Sequence, residues 1–222
     1  MSPQYINLTR LEPDQLDAAL SLGWFRIQQS LFTTDELEFG GLIYEAIWLR
    51  VHLPAFEPDK KYTTLTRKNA GFHTEISKAV ITSEQEALYA AYKNHLPFEA
   101  SSSLHTLLLG EDRQNVFNTR MINMYAGDRL IGTGYFDLGR QAASGIVSFY
   151  DPAYKNYSLG LFMIYEKMFY CKREGFAWFY PGYFVPGYPM FDYKKKLGKG
   201  ALAFYDRQQN TWYPLPASDP EG

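Results

Sequence analysis

Cysteine is almost absent from this chain, because Cys171 is the only one among 222 residues. One thiol cannot form an intramolecular disulfide and cannot supply a cysteine cluster for a metal or an iron–sulfur centre. Histidine is also scarce, and His52, His73, His95 and His105 show no metal-ligand spacing. The sequence therefore predicts a cytoplasmic protein without a metal site.

Long apolar runs and an excess of either charge are missing as well. No segment approaches the roughly 18 consecutive apolar residues of a membrane span, and residues 1–5 lack the start of a secretory signal. The 22 basic and 24 acidic residues give a formal net charge of −2, which neither indicates nor excludes a nucleic-acid partner. We expect a protein that is neither membrane-bound nor secreted.

Aromatic residues, in contrast, are abundant, with 18 Tyr, 16 Phe and 4 Trp. The tyrosines concentrate in the second half of the chain. A buried tyrosine needs a hydrogen-bond partner for its hydroxyl. A pocket or groove with a partly polar lining is therefore expected in the second half.

The hydrophobic pattern divides the chain near residues 70–80 into a strand-rich domain, residues 1–75, and a second domain, residues 76–222. The first part predicts a helix over 13–22 and strands over 24–33 and 42–53. The second part begins with helices predicted from residue 83 to about 94 and over 104–109. Ser83 and Glu86 have the spacing of a capping box at the start of the first of these.

From residue 118 the pattern alternates with a period of two. Strands are predicted over 121–125, 130–137 and 146–150, a long helix over 158–174, and further strands over 177–180 and 202–205. Three antiparallel strands, a crossover helix and another strand match the order of the GNAT acyltransferase core. The predicted fold is α+β, with a GNAT-like C-terminal acyltransferase domain and a small strand-rich N-terminal domain.

The loop before the long helix differs from that of coenzyme A-dependent GNAT enzymes. Those enzymes have Arg/Gln-x-x-Gly-x-Gly/Ala, whose glycines let the backbone close on a pyrophosphate. Residues 154–161 read Tyr-Lys-Asn-Tyr-Ser-Leu-Gly-Leu and keep one glycine, Gly160. A helix N-terminus still favours an anion there. The pattern disfavours coenzyme A, although a coenzyme A-dependent N-acyltransferase stays an alternative.

Several short motifs then follow one another in a fixed order. They are Phe149-Tyr-Asp-Pro152, Ser158-Leu-Gly160, Tyr180-Pro-Gly-Tyr183, Pro186-Gly187 and Tyr193-Lys194, with weaker ones at Leu22-Gly-Trp-Phe25, Leu49-Arg-Val51, Phe56-Glu-Pro58 and Arg67-Lys-Asn69. In order and spacing they resemble the arginyl-tRNA–protein transferases and their bacterial relatives that transfer leucine to aspartate or glutamate. The resemblance extends over nearly the whole chain.

The resemblance implies an aminoacyltransferase whose donor is aminoacyl-tRNA, carrying arginine or leucine, and whose acceptor is the N-terminal α-amino group of a protein. The amine attacks the aminoacyl ester, a peptide bond forms, and tRNA is released. Because the ester is already activated, positioning, proton removal and stabilisation of the oxyanion suffice. No cofactor is implied.

Two departures from the family pattern leave a second alternative open. Residues 35–47 lack the cysteine cluster that the family usually has before its Leu-Arg-Val segment. The family's Cys-Pro-Lys-Met-x-Tyr-Lys motif is replaced by Tyr188-Pro-Met-Phe-Asp-Tyr-Lys194. The chain could therefore be a non-catalytic descendant that binds tRNA or a peptide.

The resemblance and the motif positions together imply a set of site residues. Asp151 or Asp192 would orient or deprotonate the amine, with Tyr193 beside them. Simpler interpretations are an Asx turn at Asp151, a helix N-cap at Ser158 and aromatic packing for several tyrosines. The predicted substrate-binding residues are Tyr150, Ser158, Leu159, Gly160, Tyr180, Tyr183, Tyr188 and Lys194.

Two basic clusters are candidates for tRNA binding. A run of lysines is usually a solvated face. If the clusters meet across the fold, they would form a phosphate-binding stripe for the tRNA acceptor arm. The first cluster is Lys60, Lys61, Arg67 and Lys68, and the second is Lys194, Lys195 and Lys196 with Lys199.

Overall fold

The computed structural model describes residues 3–112, 114–198 and 200–215. Within these ranges the strands are β1 (Gln4–Asn7), β2 (Phe25–Ile27), β3 (Ser30–Thr33), β4 (Glu36–Phe39), β5 (Leu42–Glu45), β6 (Ile47–His52), β7 (His73–Lys78), β8 (Thr119–Ala126), β9 (Arg129–Leu138), β10 (Ala142–Tyr150), β11 (Trp178–Phe184), β12 (Leu202–Asp206) and β13 (Thr211–Pro214). The α-helices are α1 (Pro13–Ser21), α2 (Lys60–Lys68), α3 (Ser83–Lys93), α4 (Leu104–Leu109) and α5 (Leu159–Arg173). Short 3₁₀ helices cover Leu53–Ala55, Pro152–Tyr157 and Pro189–Lys196.

One large mixed sheet organises the fold, with the strand order β13-β12-β6-β11-β10-β9-β8-β7. Strands β8, β9 and β10 form the antiparallel meander, and α5 crosses over to β11, which is parallel to β10. This order confirms the predicted α+β fold with a GNAT-like core. Two small sheets, β1-β3-β2 and the hairpin β4-β5, accompany it.

The parallel pairing of β10 with β11 is short. It joins only residues 142–144 to residues 178–180. The β10–β9 ladder has a bulge between Gly145 and Val147, and the β11–β6 ladder is irregular between Phe179 and Gly182. Pro181 lies within the irregular part of β11 and has no N–H to donate to a sheet ladder. Beyond Ser144 the two strands therefore separate, with β10 following β9 and β11 following β6.

Both faces of the sheet are covered by apolar side chains. On one face, α5 buries residues such as Leu159 and Met163 in a cluster that includes Phe136 of β9. The adjacent Tyr135 belongs to a second cluster with residues of α3 and α4. Successive side chains of a strand point to opposite faces. The helices therefore form layers on both sides of the meander.

The first 75 residues contribute directly to the main sheet, because β6 lies between β11 and β12. The buried Trp48, Leu49 and Val51 of β6 pack into the apolar clusters around it. The division into two domains at residue 75 stays a prediction.

The structure corrects several predicted elements. Residues 24–33 form a hairpin of β2 and β3, because Gln28 has a φ of 52° and turns the chain. The predicted strand over 42–53 is two strands, β5 and β6, separated at Ala46. The capping box of α3 lies one residue earlier than predicted and uses Thr82 and Gln85. Glu86 instead accepts hydrogen bonds from the first backbone N–H groups of α4.

A buried ion pair connects the N-terminal hairpin to the meander. Arg26 of β2 places Nη1 2.9 Å from Oδ1 of Asp137 on β9, and the two side chains are 1% and 0% exposed. Arg26 also donates to Thr119 Oγ1 and to the Leu108 carbonyl, and lies over the Phe117 ring. One guanidinium therefore joins β2, α4, β8 and β9.

We expect Arg26→Met to lower the free energy of unfolding by about 3–5 kcal/mol, because it leaves the Asp137 carboxylate buried without a cation. Urea unfolding measures the change. The control is Arg10→Met, which removes an ion pair to Glu12 from a side chain that is 84% exposed. A loss below about 1 kcal/mol is expected there. Equal losses in the two variants would contradict the role of the Arg26 pair.

Candidate functional site

The separation of β10 and β11 opens a cleft of about 1280 Å³. One wall is β10 from Ser144 to Ser148, and the other is β11 from Pro181 to Tyr183. The first turns of α5, the segment between α3 and α4, the 3₁₀ helix Pro189–Lys196 and residues of β2, β3 and β6 also line it. The cleft lies where the motif-bearing segments converge, and it is the candidate functional site.

The turn that leads from β10 into α5 is fixed by Asp151. Its Oδ1 accepts the Ala153 N–H at 2.9 Å, and its Oδ2 lies 2.5 Å from Nη2 of Arg129. The predicted Asx turn is therefore confirmed. Both carboxylate oxygens are engaged in contacts that shape the chain before α5.

Ser158 does not cap α5 as predicted. It occupies the N-cap position, but its side chain makes no capping hydrogen bond. The reason is its backbone, which has φ 55° and ψ 42° in the left-handed region, whereas capping residues are normally extended. A left-handed backbone at a non-glycine residue is uncommon and concentrates at functional sites. Ser158 lines the cleft.

Gly160 permits a close contact at the start of α5. A Cβ at this position would lie 3.4 Å from the Tyr150 ring, which packs against the helix here. Tyr150 and Gly160 both line the cleft. The single glycine that remains in this loop therefore serves aromatic packing beside the helix N-terminus.

Lys194 lies in the cleft wall rather than on the protein surface. Its Nζ donates to the Tyr183 carbonyl at 2.9 Å and lies 5.1 and 5.2 Å from the ring centres of Tyr183 and Phe191. Gly182 has a φ of 90°, and a Cβ there would come within 3.2 Å of this nitrogen. Burial lowers the pKa of Lys194 to about 8.

A second lysine in the cleft was missed by sequence reasoning. Lys167 of α5 is 1% exposed, and its Nζ contacts the carbonyls of Tyr135 and Val147 at 3.2 and 3.1 Å and Oγ of Ser148 at 2.9 Å. Burial lowers the pKa of Lys167 to about 7. A lysine on a helix usually indicates the solvent face, but Met163 and Cys171, one turn away on either side, are apolar and buried. That spacing was the available signal.

The predicted site residues fall into two groups. Six line the cleft, namely Tyr150, Ser158, Gly160, Tyr183, Tyr193 and Lys194. Leu159 and Tyr180 are 0% and 1% exposed and belong to apolar clusters. Asp192 pairs with Lys195 at 2.9 Å. The functional roles of these residues stay predictions.

Tyr188 belongs to an aromatic cluster beside the cleft, which consists of Phe39, Tyr44, Phe98, Tyr188 and Phe191. Phe39 of the β4–β5 hairpin stacks on Tyr188 with ring centres 4.8 Å apart, and it contacts Phe191 and Phe98 at 5.9 and 6.4 Å. The hairpin turns at Gly40 and Gly41, both with positive φ. It holds the 3₁₀ helix Pro189–Lys196 against the α3–α4 segment.

The two basic clusters lie on different elements. Lys60, Lys61, Arg67 and Lys68 are exposed on α2, which is fixed to α5 by hydrogen bonds from Tyr62 to Glu166 and from Tyr165 to Asp59. Lys195 and Lys196 are exposed at the end of the 3₁₀ helix, and Lys199 lies outside the described residues. Among the residues described, no hydrogen bond or ion pair joins the two clusters.

Neither a membrane span nor a metal site is seen in the part of the chain that the structure describes. No helix there combines the length and the apolar character needed to cross a bilayer. No group of three or more His, Cys, Asp and Glu side chains there is placed to hold a metal ion.

The cleft and most of its motifs lie in a segment that matches a known protein family. The family model for the arginine-tRNA-protein transferase C terminus matches residues 72–203, which include β7 to β11 and the cleft-lining motifs between Phe149 and Lys194. The chain belongs to this family. The predicted family resemblance is thereby confirmed.

Curated relatives extend this similarity. The chain is 30% identical over 169 residues to the aspartate/glutamate leucyltransferase of Leptospira interrogans serovar copenhageni, covering 73% of this chain and 65% of that protein. It is 27% identical over 219 residues to that of Paracoccus denitrificans, covering 91% and 75%. The chain therefore spans slightly less than two thirds of the Leptospira relative.

Solved structures with low sequence identity share the fold. The C-terminal domain of a putative lysylphosphatidylglycerol synthetase from Agrobacterium fabrum has a TM-score of 0.52 at 13% identity, covering 79% of this chain and 53% of that one. FemX has a TM-score of 0.50 at 10% identity, covering 88% and 69%. At this identity the likeness concerns the fold alone.

We expect Phe39→Ala to release the β4–β5 hairpin from the 3₁₀ helix Pro189–Lys196. Aromatic pairs contribute about 0.5–1.5 kcal/mol each beyond burial, which corresponds to roughly 2–10-fold faster amide hydrogen exchange in residues 36–45 and 188–196. The control in the same hairpin is Leu42→Ala, whose side chain is 62% exposed. Unchanged exchange in Phe39→Ala would contradict the stacking role.

Proposed function

We propose that this chain transfers an amino acid from aminoacyl-tRNA to the N-terminal α-amino group of an acceptor protein. The observation that carries the proposal is the convergence of six predicted site residues on one cleft, within the segment that matches the transferase family. An aminoacyl ester is already activated, so that a site of this kind needs to position it, accept a proton and stabilise an oxyanion. Because the donor is a tRNA, the proposed location is the cytoplasm.

The charges in the cleft favour leucine over arginine as the transferred amino acid. Among the described residues that line it, Glu99 is the one carboxylate, and it is exposed. Lys155, Lys194 and the Asp137-paired Arg26 bring positive charge to the cleft, and Lys167 is a further basic side chain there. A buried guanidinium needs a carboxylate partner, whereas an apolar leucine side chain does not. The name of the Leptospira relative, aspartate/glutamate leucyltransferase, agrees with this choice.

The same charges support an acidic acceptor residue. An N-terminal aspartate or glutamate that enters the cleft meets Lys194, which is not in an ion pair among the described residues. A charge-assisted hydrogen bond between them would orient the neighbouring α-amine. We therefore propose that Lys194 selects acidic acceptors, with Tyr183 and Tyr193 lining the same wall.

The other predicted site residues would position the substrates or fix the elements around the cleft. Asp151 would hold the turn before α5, and Ser158 and Gly160 would contact the ester at the helix N-terminus. Asp192 pairs with Lys195 and is not among the cleft-lining residues, so that it would act on the amine indirectly by fixing the 3₁₀ helix Pro189–Lys196. Leu159 and Tyr180 would act from the core by fixing α5 and β11. Tyr150 and Tyr188 would frame the acceptor.

The transfer assay uses radiolabelled leucyl-tRNA and arginyl-tRNA, in separate reactions, with peptides that begin with Asp, Glu, Arg or Lys. We expect label from leucyl-tRNA in the Asp and Glu peptides. Protein in excess over tRNA allows a single slow turnover to be detected. Absence of label from both donors would contradict the proposed function, and salt-dependent tRNA binding without transfer would favour a non-catalytic descendant.

We propose that the exposed lysines and arginine of α2, together with Lys195 and Lys196, contact tRNA phosphates. The double substitution Lys60→Gln/Lys61→Gln should weaken the binding of all tRNAs alike. It should also reduce the slope of log K against log salt by about 1 for each lost contact. Lys93→Gln is the control, because Lys93 lies on α3, away from α2, and donates to the Ser102 carbonyl in the segment between α3 and α4. An unchanged slope would show that Lys60 and Lys61 of α2 do not contact tRNA phosphates.

A further inference from the structure

Ser148 and Lys167 form a pair in the cleft that no motif contains. Ser148 of β10 and Lys167 of α5 both line the cleft, with Nζ and Oγ 2.9 Å apart. We propose that they form a proton relay, which takes the proton from the attacking amine and returns it to the leaving ribose oxygen. The inference rests on the proposed transferase function and assigns its acid–base residues.

The hydrogen-bond partners of Lys167 suit both of its protonation states. A charged ammonium has three N–H donors, and the carbonyls of Tyr135 and Val147 with Oγ of Ser148 accept all three. A neutral amine has two N–H donors and one lone pair. The two carbonyls still accept, and the Ser148 hydroxyl is the one partner of the three that can donate to the lone pair. Proton gain and loss therefore require only rotation of a hydroxyl.

The backbone around the pair gives Nζ of Lys167 both space and hydrogen-bond acceptors beside the cleft. Val147 and Tyr135 face each other across the bulge of β10, where the regular ladder is interrupted. Gly134 provides the space, because a Cβ there would come within 2.6 Å of the lysine nitrogen and 2.8 Å of the serine oxygen. The bulge thus gives the amine two carbonyl acceptors beside the cleft.

The exposure of the two side chains sets the order of the relay. Lys167 is 1% exposed, whereas Ser148 is only partly buried. An acceptor amine in the cleft can approach the serine hydroxyl more readily than the lysine nitrogen. Ser148 is therefore the group that touches the substrate, and Lys167 stores the proton behind it.

No carboxylate stabilises the charged form of Lys167 among the described residues. On its own helix the facing group is Cys171, a thiol that stays neutral because burial raises its pKa to about 12. From β9 the facing group is the Phe136 ring, 5.9 Å away, and from β10 it is Ser148. Lys155 and Lys194 add positive charge to the cleft. Burial without a counter-ion favours the neutral amine, and a base with a pKa near 7 suits general base catalysis.

The proposed step balances without any co-reactant. The acceptor nitrogen forms a bond to the ester carbon, and its proton passes to Oγ of Ser148 as the serine proton passes to Nζ of Lys167. When the tetrahedral intermediate collapses, the bond from carbon to the ribose oxygen breaks. The proton then returns from Lys167 through Ser148 to that oxygen. The products are the amide and a tRNA with a free hydroxyl.

The test compares single-turnover transfer of leucine from leucyl-tRNA to an Asp-initiated peptide by the full chain and its variants between pH 5.5 and 9. We expect Ser148→Ala and Lys167→Met to lower the rate about 10²–10⁴-fold, as for loss of a general base, with tRNA affinity unchanged. The limb of the pH profile that rises to about pH 7 should disappear, leaving the titration of the peptide amine near 8. Ser148→Thr, which keeps the hydroxyl, should restore most of the rate.

Lys172→Met is the matched control, because Lys172 lies on the same helix and donates to the Phe56 carbonyl outside the cleft. It should keep the rate within about twofold and the rising limb intact. A rate within threefold of the parent in Ser148→Ala would overturn the relay alone. Absence of transfer by the parent chain with every donor would overturn the proposed function and the relay together.

A second measurement does not depend on activity, and it tests the relay in the parent chain even if a variant fails to fold. Nitrogen-15 NMR of the lysine side chains follows the titration of each amine in the parent chain, and Lys167→Arg assigns the signal by its disappearance. We expect this signal to titrate near pH 7. Titration of Lys167 above pH 10, as in an unperturbed lysine, would contradict the relay.

Discussion

The functional architecture depends on one limit in the main sheet, which is that β10 and β11 pair over only three residues on each strand. A parallel pair that continued would close the sheet and leave no space between the two strands. Pro181 cannot donate to the ladder, and the bulge after Gly145 turns β10 toward β9. The two facing walls of the cleft follow from this separation, since α5 starts where β10 ends and the 3₁₀ helix Pro189–Lys196 follows β11.

Separated strands need support from other parts of the chain. Strand β6 supplies it on one side by pairing with β11, and the β4–β5 hairpin adds the stack of Phe39 on Tyr188. On the other side, Lys167 fills the bulge of β10 from behind. Lys167 thus maintains the shape of the cleft and also supplies an amine to it. Loss of activity alone would not separate these structural and chemical roles, whereas the pH profile does.

Much of the fold could be predicted from the sequence, because local periodicity carries the information. The meander, α5 and the order of elements in the GNAT-like core follow from alternation with a period of two and then 3.6. Helix α2 was missed because its sequence is polar on most sides, and only Leu65 is buried. Strand β7 was missed because it lies at a sheet edge, where its residues are largely exposed. Pairing partners, not propensity, make it a strand.

The site was less predictable, for a physical reason. The motif residues Tyr150, Ser158, Gly160, Tyr183, Tyr193 and Lys194 were found because the family pattern marks them, and they line the cleft. Lys167 and Ser148 meet only through the bulge and the packing of α5 on the sheet, which are tertiary features. Burial of a lysine depends on which helical face meets the sheet. The apolar residues one turn away on either side of Lys167 mark that face, but the charge of the lysine itself predicts the opposite, solvent-facing position.

The position of β6 has a consequence for how the chain reaches its folded state. This strand ends at His52 and is synthesised well before both of its neighbours, because β11 begins at Trp178 and β12 at Leu202. Until they emerge, the apolar Trp48, Leu49 and Val51 have no sheet to join, and both edges of β6 offer unpaired backbone groups. Distant pairings of this kind slow folding. A nascent chain that still lacks β11 would therefore expose an apolar strand with two unpaired edges, which is prone to aggregate until β11 and β12 have been made.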